Sequence, residues 1–152
     1  MEKRETVADV LEGETKSTIA DRLRRVDSEA DIIGMPLTTT ERSAHLPEMF
    51  KDLVFRLRNP LPLGTHALSS DAAHDHGLAR RVQGCTLAMV VEESRMLQVS
   101  IFQTLELNKR KIDPGQLLED VMTIADEVDS QLAQAMRSYI KEASSDGALV
   151  AA

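Results

Sequence analysis

A chain of 152 residues with 42% hydrophobic and 28% charged side chains is long enough to bury one core and too apolar to stay disordered. Eighteen basic against twenty-five acidic residues leave a net charge of −7, which argues against a nucleic-acid or anionic-membrane binder, because both need a cationic footprint. The single cysteine, Cys85, excludes internal disulfides and a cysteine-based zinc cage, and with no apolar run near the roughly 18 residues of a membrane span and a charged start unlike a signal peptide, the expectation is a cytoplasmic domain.

No stretch alternates with a strand's period of two, so every element reads as helix. The first helical region covers residues 1–25, with Val7, Val10 and Leu11 and then Ile19, Leu23 and Val26 at helical spacing; Gly13 weakens its middle by about 1 kcal/mol and divides it into two pieces. Residues 31–37, with Gly34 and Pro36, read as a connection. Thr38 with Glu41 fits a capping box and opens the next helix, whose stripe is Leu46, Phe50, Leu53, Val54 and Leu57. Pro47 inside it predicts a kink or a fresh start. Residues 59–64, carrying Pro60, Pro62 and Gly64, form a stop, and a loop follows to Ser70.

A third helix is predicted from Ser70, with Asp71 in its first turn, to a left-handed cap at Gly84. The fourth covers residues 86–109. Leu87, Val90, Leu97, Ile101 and Leu105 line one side while Met89, Met96, Val99 and Phe102 cover much of the rest, a pattern expected of a central helix. The last helix has Asp113 as cap and Pro114 at its first position. Leu118, Val121, Ala125, Val128, Leu132, Ala135 and Tyr139 then form a heptad-like seam of roughly 40 Å. That seam either pairs with a second copy of the chain or closes the domain's own core. The expected architecture is an all-α bundle of about five helices, globin-like in style, formed by residues 1–143 and followed by a polar tail, 144–152.

Most chemistries find no constellation. His74 and His76 are two apart and point to different sides of a helix, so no metal site is expected. The alternative reading is a haem- or small-ligand-binding globin-like sensor in which His76 serves as the ligand, though three Phe, one Tyr and no Trp are a poor supply of pocket lining. Neither His45 nor His76 has the flanking sequence of a phosphotransfer domain. Cys85 follows Gly84 at a helix start, where a dipole lowers a thiol pKa, but the bland alternative of a small buried side chain is preferred. No acid–base or nucleophile set is present, so the chain is not expected to be an enzyme.

A polar set does have coherent geometry. His76, Arg80 and Gly84 recur every four residues along one face of the third helix. Glu93 projects about 60° from Val90, on the flank of the apolar stripe, where a carboxylate needs a partner. Arg80 is that partner, because a guanidinium bonds a carboxylate in two places. Gly77 in a helix interior predicts that another backbone crosses closely there.

The same residues carry a family resemblance. Leu37-Thr38 with Glu41-Arg42, His45-Leu46-Pro47, Leu53 through Leu57-Arg58, His76-Gly77-x-x-Arg80-x-x-x-Gly84 and Glu93-x-Arg95-x-Leu97 follow one another in a register that resembles the N-terminal domain of RsbRD-type proteins. Ile124 and Asp129 of the last helix fit the family's spacing as well. Cys85 and Ser94 stand where the family often has aromatic residues. The resemblance implies a bacterial signalling input domain without haem or another cofactor, a homodimer, and a last helix that reports to an output domain or a separate signalling protein. His76, Gly77, Arg80, Gly84, Glu93 and Arg95 are its expected structural and signalling set.

Overall fold

A computed structural model describes residues 3–29, 35–65 and 69–145. Seven α-helices are named here: α1 (Val7–Gly13), α2 (Thr15–Asp27), α3 (Thr39–Ser43), α4 (Leu46–Arg58), α5 (Asp71–Val82), α6 (Leu87–Leu107) and α7 (Pro114–Ser145). A 3-10 turn, Lys109–Lys111, joins the last two. The fold is an all-helical bundle with a long C-terminal helix. Parts of the two predicted connections, 31–34 and 66–68, and residues 146–152 of the predicted tail lie outside the described residues. Ser144 and Ser145 belong to α7, so the helix passes the predicted boundary at residue 143.

Helix ends follow the local chemistry. The break at Gly13 separates α1 from α2, with Glu14 at φ −104° and ψ 16° between them. Thr6 and Asp9 form a capping box on α1, and Thr38 and Glu41 form one on α3. Pro47 sits in the first turn of α4, where its missing N–H costs nothing. Ser70 and Thr86 accept from Ala73 and Met89 at the starts of α5 and α6. At the end of α5 the N–H of Cys85 donates to the Arg80 carbonyl (3.0 Å) and that of Gly84 to the Arg81 carbonyl (3.1 Å), with Gly84 at φ +83°. This pair of bonds is a Schellman cap, and the left-handed backbone favours glycine.

Two ends of the bundle differ in chemistry. At one end Val7, Val10 and Leu11 of α1, Leu46, Phe50 and Leu53 of α4, Ile101 and Leu105 of α6, and Ile124 and Val128 of α7 form the apolar core. Residue Glu5 is tied to this end by a parallel bridge to Ile112, its N–H donating to the Lys111 carbonyl at 2.8 Å. At the other end α5 lies along α7, and α2 along α6. The contact between α5 and α7 is so close that a Cβ at Gly77 would collide with the Ala135 carbonyl and the Ser138 hydroxyl. The glycine expected to admit a crossing backbone does so, and the crossing helix is α7.

Two expectations are corrected. The fourth predicted helix is not apolar-buried all round: α6 buries Val90, Met96, Leu97, Ile101 and Leu105 but leaves Val91, Val99 and Leu107 exposed. The seam on α7 is rotated. Of its predicted members Val128 and Ala135 are buried, Val121, Ala125, Leu132 and Tyr139 are half-buried, and Leu118 is exposed. The inward positions are Val128 and Ala135 of that seam together with Thr123, Ile124, Glu127, Gln131, Ser138 and Ala143. The rotation has a cause in the neighbours: α4 and α5 present Arg56 and backbone carbonyls to α7, and these require polar partners.

Gly77→Ala should therefore destabilise the fold by about 2–3 kcal/mol, because the added methyl meets backbone that cannot yield. Gly13→Ala, with nothing within 4 Å of the added carbon, should be neutral or stabilising by up to about 1 kcal/mol. Urea titrations of both variants check the contrast.

Candidate functional site

Glu93 of α6 stands at the centre of the polar end. It is 1% exposed, and so is the Arg22 side chain of α2; Arg80 of α5 is fully enclosed. Arg80 holds the carboxylate in two places, Nε to Oε1 at 3.1 Å and Nη2 to Oε2 at 3.0 Å. Arg22 Nη2 donates to the same Oε2 at 2.5 Å. One carboxylate thus serves two guanidiniums. The surplus positive charge is spread over carbonyls at the end of α3: that of Arg42 accepts from Arg22 Nη1 (3.0 Å) and Arg80 Nη2 (3.0 Å), and that of Glu41 accepts from Arg80 Nη1 (3.2 Å). Gln83 Oε1 accepts a further bond from Arg80 Nη1 at 2.8 Å. Cations at a helix's C-terminal carbonyls complement its dipole.

Charge states follow from these contacts. Burial raises the Glu93 carboxyl, but Arg22 and then Arg80 outweigh it, so the group is held below its ordinary pKa and remains ionised. Burial pulls the Arg22 guanidinium down, and Glu93 restores part of its hold on the proton. His76 lies beside this cluster with its ring edge against His45, centroids 5.9 Å apart. Burial first and the Arg80 charge second lower its pKa from 6.5 to about 3, so the imidazole is neutral at ordinary pH. A cavity of about 20 Å³ is lined by Arg22, His76, Glu93, Ser94 and Gln131 with apolar neighbours. That volume is enough for about one water. The buried Nε of Arg22 has no hydrogen-bond partner among the described residues.

This packing fits no haem: the space beside His76 would have to grow manyfold before a macrocycle entered. Among the described residues no three His, Cys, Asp or Glu side chains gather at metal-ligating reach. Cys85 is buried, and burial pushes its thiol upward, the opposite of an activated nucleophile. Its carbonyl accepts from the Tyr139 hydroxyl at 2.6 Å, one more tie between α7 and the end of α5.

The predicted polar set divides. His76, Arg80 and Glu93 meet, and Gly77 lets α7 close over them. Gly84 lies past the end of α5 and serves as its cap. Arg95 does not belong: it is exposed and pairs with Glu92 at 2.8 Å. Two residues beyond Glu93 is roughly 200° around the helix, so its guanidinium points away.

Sequence reasoning missed Arg22 and a second cluster on α7. Arg22 has Thr18 and Val26 one turn before and after it, both fully buried. An arginine on that stripe was the available signal. The second cluster joins the enclosed Arg56 of α4 to Asp126 (2.9 Å) and Glu127 (3.6 Å) of α7. Asp126 also accepts from the Gly64 N–H at 3.0 Å, and Gln131 Nε2 donates to the Met49 carbonyl at 3.1 Å. Farther along, Gln134 Oε1 accepts from the Ser70 N–H (2.7 Å) and the Ser138 hydroxyl donates to the His74 carbonyl (2.8 Å). The inner face of α7 is a row of such bonds.

Compared with models of protein families, with curated proteins and with solved structures, the chain matches none.

Removing the shared carboxylate strands two buried cations, whereas removing one cation leaves the other pair intact. Glu93→Gln should cost about 3–5 kcal/mol and Arg80→Met about 1–3 kcal/mol. The double variant should fall short of their sum by at least about 1 kcal/mol; denaturant unfolding of all three measures the coupling, and additive losses would mean the contact carries no energy.

Because the folded pKa of His76 lies below its unfolded value, the unfolded chain binds the proton first. Its contribution is complete above about pH 6.5 and is lost as pH falls toward 3. Between pH 7 and pH 5 the loss is about 2 kcal/mol. Glu127, held above its ordinary pKa by burial, works in the opposite sense. The difference between the wild-type chain and His76→Leu isolates the histidine: the variant's stability should drop less over that interval, as read by urea midpoints at the two pH values.

Proposed function

We infer that the chain is a cytoplasmic signalling input domain of the RsbRD type, acting as a homodimer and passing a packing change along α7 to an output domain or a separate partner. The observation that carries this reading is the two-sided character of α7. Its inner face is fastened by polar bonds to α4 and α5, which fix a register. Its outer face leaves Leu118 72% and Met122 47% exposed one turn apart near the start of the helix, and Ile140 39% exposed five turns farther along the same side, with the exposed Asp129 between them. Val91 and Val99 of α6 add further exposed apolar surface.

A transmitting element needs two arrangements close in energy that a ligand or partner binds differently. Hydrogen bonds between side chains and helix backbone suit that need, since each contributes only about 1 kcal/mol net. The clamp of Arg22, Glu93 and Arg80 supplies the fixed frame against which α7 moves. The order of the motifs from Leu37 to Leu105 supports the family assignment. With the carboxylate of Glu93 shared between Arg22 and Arg80, binding and regulation suit the site better than catalysis.

Light scattering coupled to size exclusion should give a mass twice the 16.8 kDa of the chain. Met122→Glu, which puts a charge in the outer stripe, should shift the population toward monomer with little change in the unfolding midpoint. A strict monomer at high concentration would end the homodimer and its mode of transmission.

A further inference from the structure

An acidic molecule carries one cationic pole. The bridge between Glu5 and Ile112 brings Lys3 and Arg4 beside the Lys109–Lys111 turn, two basic segments more than a hundred residues apart in sequence. A depression of about 500 Å³ opens between them, lined by Lys3, Arg4, Glu5, Asp9, Arg110 and Lys111. Its carboxylates do not cancel the charge. Asp9 is held by Arg58 at 2.9 Å and caps α1, and it leaves the four cations facing Glu5. Lys109 is occupied by Glu106 at 2.6 Å, but Lys3, Arg110 and Lys111 have no ion-pair partner among the described residues. The volume is that of a small-molecule site, and cations from two segments converge on it.

The pole also touches the start of the long helix. Arg4 Nη1 lies 3.5 Å from Asp113 Oδ1, and that same oxygen accepts from the Gly115 N–H at 3.0 Å to cap α7. An anion in the depression competes with Asp113 for Arg4.

We propose that this depression is a binding site for a small phosphorylated anion, and that Arg4, shared between the ligand and the cap of α7, couples occupancy to that helix. Binding requires only the charge distribution; its role as a signal rests on the input-domain reading above. The ligand's phosphoryl groups accept from Arg110, Lys111, Lys3 and Arg4, while Glu5 disfavours anions that cannot reach past it. Phosphodiester in a nucleic acid offers the same chemistry from another source, and the test separates the two.

Calorimetric titration of the intact chain with inorganic tripolyphosphate at low salt should show one site. Arg110→Ala with Lys111→Ala should weaken it at least tenfold. Arg137→Ala with Lys141→Ala, which removes equal charge from the far end of α7, should leave it unchanged. Asp113→Asn keeps a capping oxygen but releases Arg4, and should tighten binding severalfold. Absence of binding, equal weakening by both double variants, or tighter binding of a short single-stranded oligonucleotide that displaces the tripolyphosphate would each overturn the proposal. A dimer that fails to bind removes this site and spares the input-domain reading; a strict monomer that binds does the reverse.

Discussion

One buried carboxylate shared by two arginines organises this fold. Glu93 joins α6 to α2 through Arg22 and to α5 through Arg80, and the carbonyls of Glu41 and Arg42 bring the end of α3 into the same knot. Four segments distant in sequence are thereby held at one point. Such a knot adds little net stability, because desolvating three charges offsets most of their attraction. What it supplies is discrimination: an altered crossing of α5 and α6 leaves at least one charge buried and unpaired, a cost of several kcal/mol.

The two ends of the bundle divide the work. The apolar end, where α1, α4 and the far half of α6 enclose Phe50, Leu53 and Ile101, supplies the hydrophobic stabilisation. The polar end sets angles and register. Between them runs α7, whose first turns close the apolar core through Ile124 and Val128 and whose later turns ride on α5 at Gly77. Arg56 with Asp126 and Glu127 marks the changeover. A helix attached in these two manners is held by apolar burial at its start and by hydrogen bonds and a close backbone contact farther along.

The input-domain reading proposed above draws on this arrangement. The cationic pole sits where α7 begins, and the Glu93 knot sits beside its middle. The exposed apolar positions Leu118, Met122 and Ile140 run along its outer side. Signals arriving at the start of the helix and partners meeting its outer face would act on a single rigid body of roughly 48 Å.

Helix existence and most helix ends were legible in the sequence, because capping and turn chemistry are local. Thr38 with Glu41, Ser70, Thr86, Gly84 and Asp113-Pro114 each act through atoms within a few residues of themselves. The pairing of Arg80 with Glu93 was also legible, since a carboxylate on an apolar flank requires a cation and helical spacing points to one on the neighbouring helix. Arg22 was not, nor was the outward turn of Arg95, nor the rotation of the α7 seam toward Glu127, Gln131 and Ser138. These depend on which polar groups α2, α4 and α5 bring to the contact. Apolar periodicity shows which side of a helix prefers to leave water; where the facing surface carries guanidinium and backbone carbonyls, the partner's unmet hydrogen bonds choose the face, and only the packed structure contains that information.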